Sequence, residues 1–205
     1  MIVVTESTAK LRRPPEIRRR MLLDAAREVI AARGLHATTL RQVAAAGGVA
    51  VGTVTYHFAS LAELLAGVVQ AEMDSYSAGV WDRARAAPTG RAGLDVLIAG
   101  LLASGERAGA HWRLWLDFWA VAAHDPAYSA WQSRVYAELH GLVGDLLGRG
   151  AVDGSLRAVV AHAGAVGFVA HLDGLVVQAY RPGSRFSPAR ARAMMADYVA
   201  TGLAL

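Results

Sequence analysis

A chain of 205 residues with 54% hydrophobic and 19% charged residues is long enough to bury a sizeable core, which excludes a disordered protein. It contains no cysteine, which excludes a disulfide scaffold and any cysteine-ligated zinc site. Residues 1–60 carry a net charge of +5 and residues 61–205 a net charge of −1, so only the N-terminal part is expected to bind a polyanion.

The N-terminal segment, residues 1–15, is basic and ends in two prolines, Pro14 and Pro15. It predicts a flexible arm that either reaches DNA or serves only as a solubilising tail. No long apolar run follows a basic region, so we expect no signal peptide and a cytoplasmic protein. A helix is predicted over residues 16–33 and ends at Gly34; its inward side chains would be Ile17, Leu22 or Leu23, Ala26, Val29 and Ile30.

Residues 38–64 predict a helix-turn-helix followed by a longer helix. Thr39 and Gln42 form a T-x-x-Q capping box, and the glycines at 47 and 48 end the first short helix. A second helix is expected from about Val51 to His57, with an outward face free of Asp and Glu. Hydroxyl, imidazole and methyl groups on such a face suit the major groove of DNA. The candidate DNA-binding residues are Thr39, Arg41, Val51, Gly52, Thr53, Thr55, Tyr56 and His57.

The rest of the chain predicts further helices and no strand, so the fold is expected to be all-α with about nine helices. The expected ranges are 60–85, 92–105, 110–123, 126–147, 155–180 and 187–203, with a loop over 148–154. Ser60 with Glu63 and Ser187 with Pro188 supply N-terminal caps. Residues 158–180 are long enough to span a bilayer, but Asp173 near their middle favours a buried helix and no membrane partner.

Aromatic residues concentrate between 112 and 136 and form a candidate ligand site. Aromatic walls can enclose an apolar or cationic molecule, although the same residues could form an ordinary core. Asp117 could equally form a salt bridge with Arg113. The candidate ligand-binding residues are Trp112, Trp115, Asp117, Trp119, Tyr128, Trp131, Tyr136 and His171.

The histidines fit no metal-binding spacing, and neither a G-x-S-x-G elbow nor a Walker loop occurs. We therefore expect no metal, no cofactor and no enzyme activity. Small residues at 164 and 167 could let a partner helix approach closely. With Met194, Met195, Tyr198 and Val199 they predict a homodimer interface or, alternatively, an intramolecular core.

Residues 17–65 resemble the DNA-binding domain of TetR-family repressors. The matching positions include Arg33-Gly34, Thr38-Thr39, Val43-Ala44, Gly48-Val49, Gly52-Thr53 and Tyr56-His57-Phe58, followed by Ser60 and Leu64. The body resembles the BetI-like branch of that family in WLDFWAVAAHDPAYSAWQSRVY and HLDGLVVQAY. The resemblance implies a DNA-binding domain over 16–65 and a ligand-binding and dimerisation domain over 66–205. It also implies a homodimeric repressor that a small organic ligand, such as a choline-like cation, releases from a palindromic operator.

The sequence departs from the family pattern at four positions of the DNA-binding domain. Ala50 stands where the family usually has a capping Ser or Thr, and Val51 stands where a Lys is common. Thr55 stands where a Tyr is frequent, and Leu61 stands where a phosphate-binding Lys is usual. Losing the cap lowers helix stability by about 1 kcal/mol, and two missing cations weaken phosphate binding. Arg41, the basic arm and the arginines at 18, 19 and 20 are expected to compensate.

Three other functions are compatible with the pattern. A DNA-binding regulator without an effector would pack its aromatic residues with no cavity between them. An α-bundle enzyme would need an acid–base or metal cluster. A regulator that had lost DNA binding would act through a protein partner alone.

Overall fold

A computed structural model describes residues 14–203, which form nine α-helices and, within that range, no strand. The all-α prediction is confirmed. Most of the basic arm lies outside the described residues, and Pro15 already belongs to the first helix. The helices are α1 Pro15–Arg33, α2 Leu40–Ala46, α3 Val51–His57, α4 Leu61–Ala86, α5 Gly90–Leu101, α6 Glu106–Ala122, α7 Pro126–Asp153, α8 Ala161–Tyr180 and α9 Pro188–Gly202.

Helices α1 to α3 form the helix-turn-helix unit predicted from the sequence. The capping box at the start of α2 is present: the Gln42 N–H donates to the Thr39 hydroxyl, and the Thr39 N–H donates to the Gln42 side chain at 2.8 Å. Gly48 adopts a φ of +61°, which lets the chain turn between α2 and α3. Val54 and Phe58 are fully buried, as predicted. The prediction for Ile17 is wrong: its side chain is 51% exposed, since it lies ahead of Leu22, the first buried residue of α1.

Helix α4 joins this unit to the rest of the protein as one helix of 26 residues, about 39 Å long. The Ser60 hydroxyl accepts the Glu63 N–H at 3.0 Å, as the S-x-x-E pattern predicts. The Glu63 carboxylate accepts from the Ala59 N–H rather than from Ser60. The boundary predicted between residues 65 and 66 falls inside this continuous helix.

The second half of the chain packs α5 to α9 into a helical bundle, and four of its predicted boundaries are wrong. Helix α5 ends at Leu101 rather than at residue 105, and α6 begins at Glu106 rather than at residue 110. Helix α7 continues through the expected loop to Asp153, because Gly150 is needed for close packing rather than for a turn. A Cβ at Gly150 would lie 2.5 Å from the Leu156 side chain, and one at Gly90 would lie 2.3 Å from the Gly150 nitrogen. Helix α8 begins at Ala161 rather than at residue 155. The preceding segment is held outside a helix, since the Arg157 N–H donates to the Leu203 carbonyl.

Helix α8 is the one helix among residues 14–203 that is long and apolar enough to cross a membrane, and 44% of its apolar window is buried within the protein. Its glycines at 164 and 167 make close contacts within the subunit, in agreement with the intramolecular alternative. A Cβ at Gly164 would meet Leu147 at 2.9 Å, and one at Gly167 would meet the Tyr198 hydroxyl at 3.1 Å. Both glycines therefore serve packing within the subunit, as do the fully buried Met195 and Val199.

Candidate functional site

The outward face of α3 forms one wall of an open cleft of about 640 Å³ at the N-terminal end of the molecule. Among the predicted DNA-binding residues, Gly52, Thr53, Tyr56 and His57 line it. Pro14, Pro15 and Arg18 complete the lining, so the start of α1 lies beside the recognition face. Tyr56 is 76% exposed and its ring stands edge-on to His57 at 5.0 Å. Such a tyrosine hydroxyl is free to donate to a DNA phosphate.

The remaining predicted DNA-binding residues surround this face. Val51 and Thr55 are exposed on α3, and the Thr55 hydroxyl bonds back to the Gly52 carbonyl at 3.3 Å. Arg41 is exposed on α2, whereas the Thr39 hydroxyl is engaged in the capping box. Ala50 precedes α3 in extended conformation and supplies no side-chain cap. The first N–H groups of α3 therefore remain available to an anion.

Three of the predicted ligand-binding aromatics pack on one another, on Phe118 and on α4. Trp115 stacks on Phe118 at 5.5 Å and meets Trp131 edge-on at 5.7 Å. The Tyr128 hydroxyl donates to the Ala62 carbonyl of α4 at 2.8 Å. The Trp131 indole N–H donates to the Gln70 side chain, also on α4, at 2.6 Å. These contacts attach α6 and α7 to the first half of α4.

A cavity of about 30 Å³ lies between α4, α6, α7 and α8, where three of the predicted residues meet. Trp112, Trp115 and Tyr136 line it, and Trp81 of α4 adds an aromatic wall that the sequence analysis missed. The volume holds about two water molecules. The full lining is Met73, Ser77, Trp81, Leu101, His111, Trp112, Trp115, Val135, Tyr136, Leu139, Leu172 and Asp173.

The polar groups of this cavity are Asp173 and His111, not the predicted Asp117 and His171. Asp117 lines a separate cleft and accepts the Leu35 N–H at 3.2 Å, and no ion pair joins it to Arg113. His171 stacks on Tyr198 at 4.8 Å, away from the cavity. Trp119 is half-buried and does not line the cavity either.

Asp173 is the acidic group of the cavity. The Tyr136 hydroxyl donates to its Oδ2 at 2.8 Å. Burial raises the pKa of Asp173 to about 6, and the Tyr136 hydrogen bond only partly opposes that rise. Burial and the nearby Asp173 charge also raise the pKa of Tyr136 well above its ordinary range. The carboxylate is therefore poorly solvated and would be stabilised by a cation.

Behind the cavity wall lies a buried ionic network centred on Glu72 of α4, whose side chain is 5% exposed. The Glu72 carboxylate contacts the Arg107 guanidinium and the His111 Nδ1, the latter at 3.3 Å, and lies 3.9 Å from Arg27 of α1. Burial raises the pKa of Glu72, but the hydrogen bonds from His111 and Arg107 outweigh burial and hold that pKa below its ordinary value. Burial lowers the pKa of His111, against the opposing influence of Glu72.

The His111 ring connects this network to the cavity. With its Nδ1–H donating to Glu72, the neutral ring presents Nε2 as an acceptor. That Nε2 atom is buried and has no hydrogen-bond partner within the described part of the chain. No group of three or more His, Cys, Asp or Glu side chains that could hold a metal ion occurs in residues 14–203.

Comparison with known proteins gives the following matches. Residues 22–68 match the model for bacterial regulatory proteins of the tetR family, and residues 88–204 match that for the BetI-type transcriptional repressor C-terminal domain. The HTH-type transcriptional regulator BetI of Escherichia coli K12 is 28% identical over 186 residues, covering 89% of this chain and 92% of that protein.

Solved structures of two regulators share the fold. One is a regulator from Saccharomonospora viridis, whose structure was determined in complex with choline. It superposes with a TM-score of 0.84 at 21% sequence identity, and the match covers 93% of this chain and 99% of the Saccharomonospora viridis chain. A TetR transcription regulator from Haloarcula marismortui gives a TM-score of 0.82 at 17% identity, covering 92% and 99% of the two chains.

Proposed function

Because the chain belongs to the TetR family of bacterial regulators and carries a BetI-type C-terminal domain, we propose that it is a homodimeric repressor released from its operator by an organic cation. The family consists of DNA-binding transcriptional regulators, which are soluble cytoplasmic proteins and not enzymes. The observation that carries the choice of ligand is the half-buried carboxylate of Asp173 in an aromatic cavity.

A hydroxylated quaternary ammonium ion fits the chemistry of the cavity. Trp81, Trp112 and Trp115 line the cavity with aromatic rings, which attract cations, and Asp173 offers the opposite charge. The unpaired Nε2 of His111 could accept a hydrogen bond from a ligand hydroxyl. The choline bound to the Saccharomonospora viridis regulator belongs to this chemical class, which makes choline the first ligand to test.

Release of DNA would follow from the small size of the cavity. A space of about 30 Å³ is too small for a trimethylammonium group, so its walls must move apart when such a group enters. Three of the lining residues, Met73, Ser77 and Trp81, belong to α4. Since α4 also begins directly after the helix-turn-helix, displacement of its C-terminal half would reorient the recognition helix.

The proposed dimer would use the outer face of α8 and α9. Val166, Val177 and Met194 are large apolar side chains that remain exposed there, as expected of a surface that a second subunit covers. A two-fold axis between the subunits presents two copies of α3 to the two halves of a palindromic operator.

The proposal is tested with choline, its neutral carbon isostere 3,3-dimethyl-1-butanol and DNA from the protein's own promoter region. We expect choline to quench tryptophan fluorescence, to raise the melting temperature and to release the DNA in a mobility-shift assay. The isostere has the same shape without the charge and should do none of these. Equal responses to both molecules would contradict a cation site.

A regulator without a small-molecule effector is the second candidate, and the small volume of the cavity favours it. It predicts retention of promoter DNA with no response to any quaternary ammonium ion. Failure to retain promoter DNA at low salt would overturn both candidates.

A further inference from the structure

A cleft of about 650 Å³ lies between the helix-turn-helix unit and the body. It is much larger than the aromatic cavity, and different residues line it. Helix α1 forms one wall, α6 the other, and the turn after α8 closes one end. Its apolar surface includes Ile30, Leu114 and Leu116. Its size falls in the range of ligand sites for organic molecules, which is roughly 300–1,000 Å³.

Four arginines line the cleft, and two of them have no partner. Glu72 is paired with Arg107 and lies near Arg27, so its one negative charge is shared between two guanidinium groups. Asp117 accepts a backbone N–H from Leu35 instead of pairing with Arg113. Within residues 14–203, neither Arg113 nor Arg181 forms an ion pair or a side-chain hydrogen bond.

The charged side chains that line the cleft carry a net charge of +1, because four arginines stand against three carboxylates. Two of the three lining carboxylates form no ion pair in the described chain: that of the exposed Glu28, and that of Asp117, which accepts the Leu35 N–H. An unpaired guanidinium beside an apolar surface offers a carboxylate or sulfonate several charge-assisted hydrogen bonds, while the apolar wall accepts hydrocarbon.

We propose that this cleft is a second ligand site, specific for an amphipathic organic anion such as a medium-chain carboxylate. The anionic group binds Arg113 and Arg181, and the apolar body lies on Ile30, Leu114 and Leu116. The site is separate from the aromatic cavity, because the Glu72–His111 pair stands between them: Glu72 lines the cleft and His111 lines the cavity.

A ligand in this cleft would contact both units of the protein. It would join α1, which carries the helix-turn-helix, to α6, whose Arg107 and His111 reach the buried Glu72. Binding of the anion does not depend on the function proposed above. Its effect on DNA binding does rest on that function, so the test below measures anion binding alone.

The binding test uses the full chain without DNA or choline. The ligands are 8-anilinonaphthalene-1-sulfonate, a fluorescent amphipathic anion, and decanoate as its competitor. The variant R113Q/R181Q removes the two unpaired cations, and the control R134Q/R157Q removes two exposed arginines outside the cleft. Both double variants change the net charge by the same amount. Circular dichroism establishes that both variants fold.

We expect saturable binding that decanoate displaces, with a dissociation constant raised at least tenfold in R113Q/R181Q and less than twofold in the control. Ala110→Trp, which fills the cleft without changing charge, should weaken binding similarly. Amide resonances of Ala31 and Ala110 should shift on titration with decanoate. The proposal is overturned if binding is not saturable, if both double variants weaken it equally, or if the shifts fall on α8 and α9 instead.

Discussion

Replacing Asp173 by Asn should stabilise the protein and weaken its response to a cation at the same time. Burial raises the pKa of Asp173 from 3.8 to about 6. At about 1.4 kcal/mol per pKa unit, keeping this carboxylate ionised lowers the unfolding free energy at pH 8 by roughly 3 kcal/mol. Asparagine has no charge to bury, and its side-chain oxygen can still accept from Tyr136.

The sign of the pH dependence follows from the raised pKa. Between about pH 4 and pH 6 the folded protein holds a proton on Asp173 that the unfolded chain has released. The contribution of Asp173 to stability is therefore most favourable below pH 4 and is lost as the pH rises through 6. The stability advantage of Asp173→Asn should be near zero at pH 4 and largest at pH 8.

Urea unfolding of the two proteins at several pH values measures this difference, and calorimetric titration with choline measures the loss of binding. We expect choline affinity to fall by roughly ten- to a hundredfold in the variant at pH 8, as for a lost charge-assisted contact. In the wild type the affinity for choline should fall below pH 6. The variant lacks the Asp173 carboxylate, so any remaining pH dependence of its choline affinity would come from His111, which lines the cavity together with Tyr136. A variant that is less stable than the wild type at pH 8, or that binds choline equally well, would refute the reasoning.

Three further changes test the recognition helix and the bundle. Ala50→Ser restores a side-chain cap to α3 and should raise the unfolding free energy by about 1 kcal/mol; an unchanged urea midpoint would contradict this. Tyr56→Phe removes an exposed hydroxyl and should weaken binding to operator and random DNA alike in fluorescence polarisation, whereas a loss confined to the operator would assign it to base reading. Gly150→Ala places a methyl group 2.5 Å from Leu156 and should destabilise by about 1–3 kcal/mol. The control Gly148→Ala meets no neighbour within 4 Å and should be neutral or stabilising in the same urea titration.

Features set by neighbours in sequence could be predicted. The caps formed by Thr39, Ser60 and Ser187 each join atoms three residues apart, so the starts of α2, α4 and α9 follow from local chemistry. The end of α7 could not be predicted in this way. Taken alone, Gly150 predicts the end of a helix. The residues that leave no room for a side chain there, Gly90 and Leu156, come close to it only in the folded protein.

The aromatic cavity was only partly predictable for the same reason. Spacing along α6 places Trp112 and Trp115 on one face, but it does not reveal which acid of another helix they meet. A signal for Asp173 was present, because it is the one carboxylate in the otherwise apolar segment 158–180. No local signal distinguishes Trp81 as a cavity wall, since its partners come from helices more than 20 residues away.

The geometry of α4 explains how a movement of about 2 Å at the cavity would matter at the DNA. Gly67 packs against Leu23 and Phe58, where an added Cβ would lie 3.0 Å and 3.6 Å from their side chains, so the start of α4 moves together with the helix-turn-helix. Trp81 lies 14 residues further along the same helix, a distance of about 21 Å. A tilt of about 5° over that length displaces one end by about 2 Å relative to the other. Since hydrogen bonds to DNA are lost when donor and acceptor separate by more than about 0.5 Å, the proposed ligand would release the operator if its entry tilted α4 by this amount.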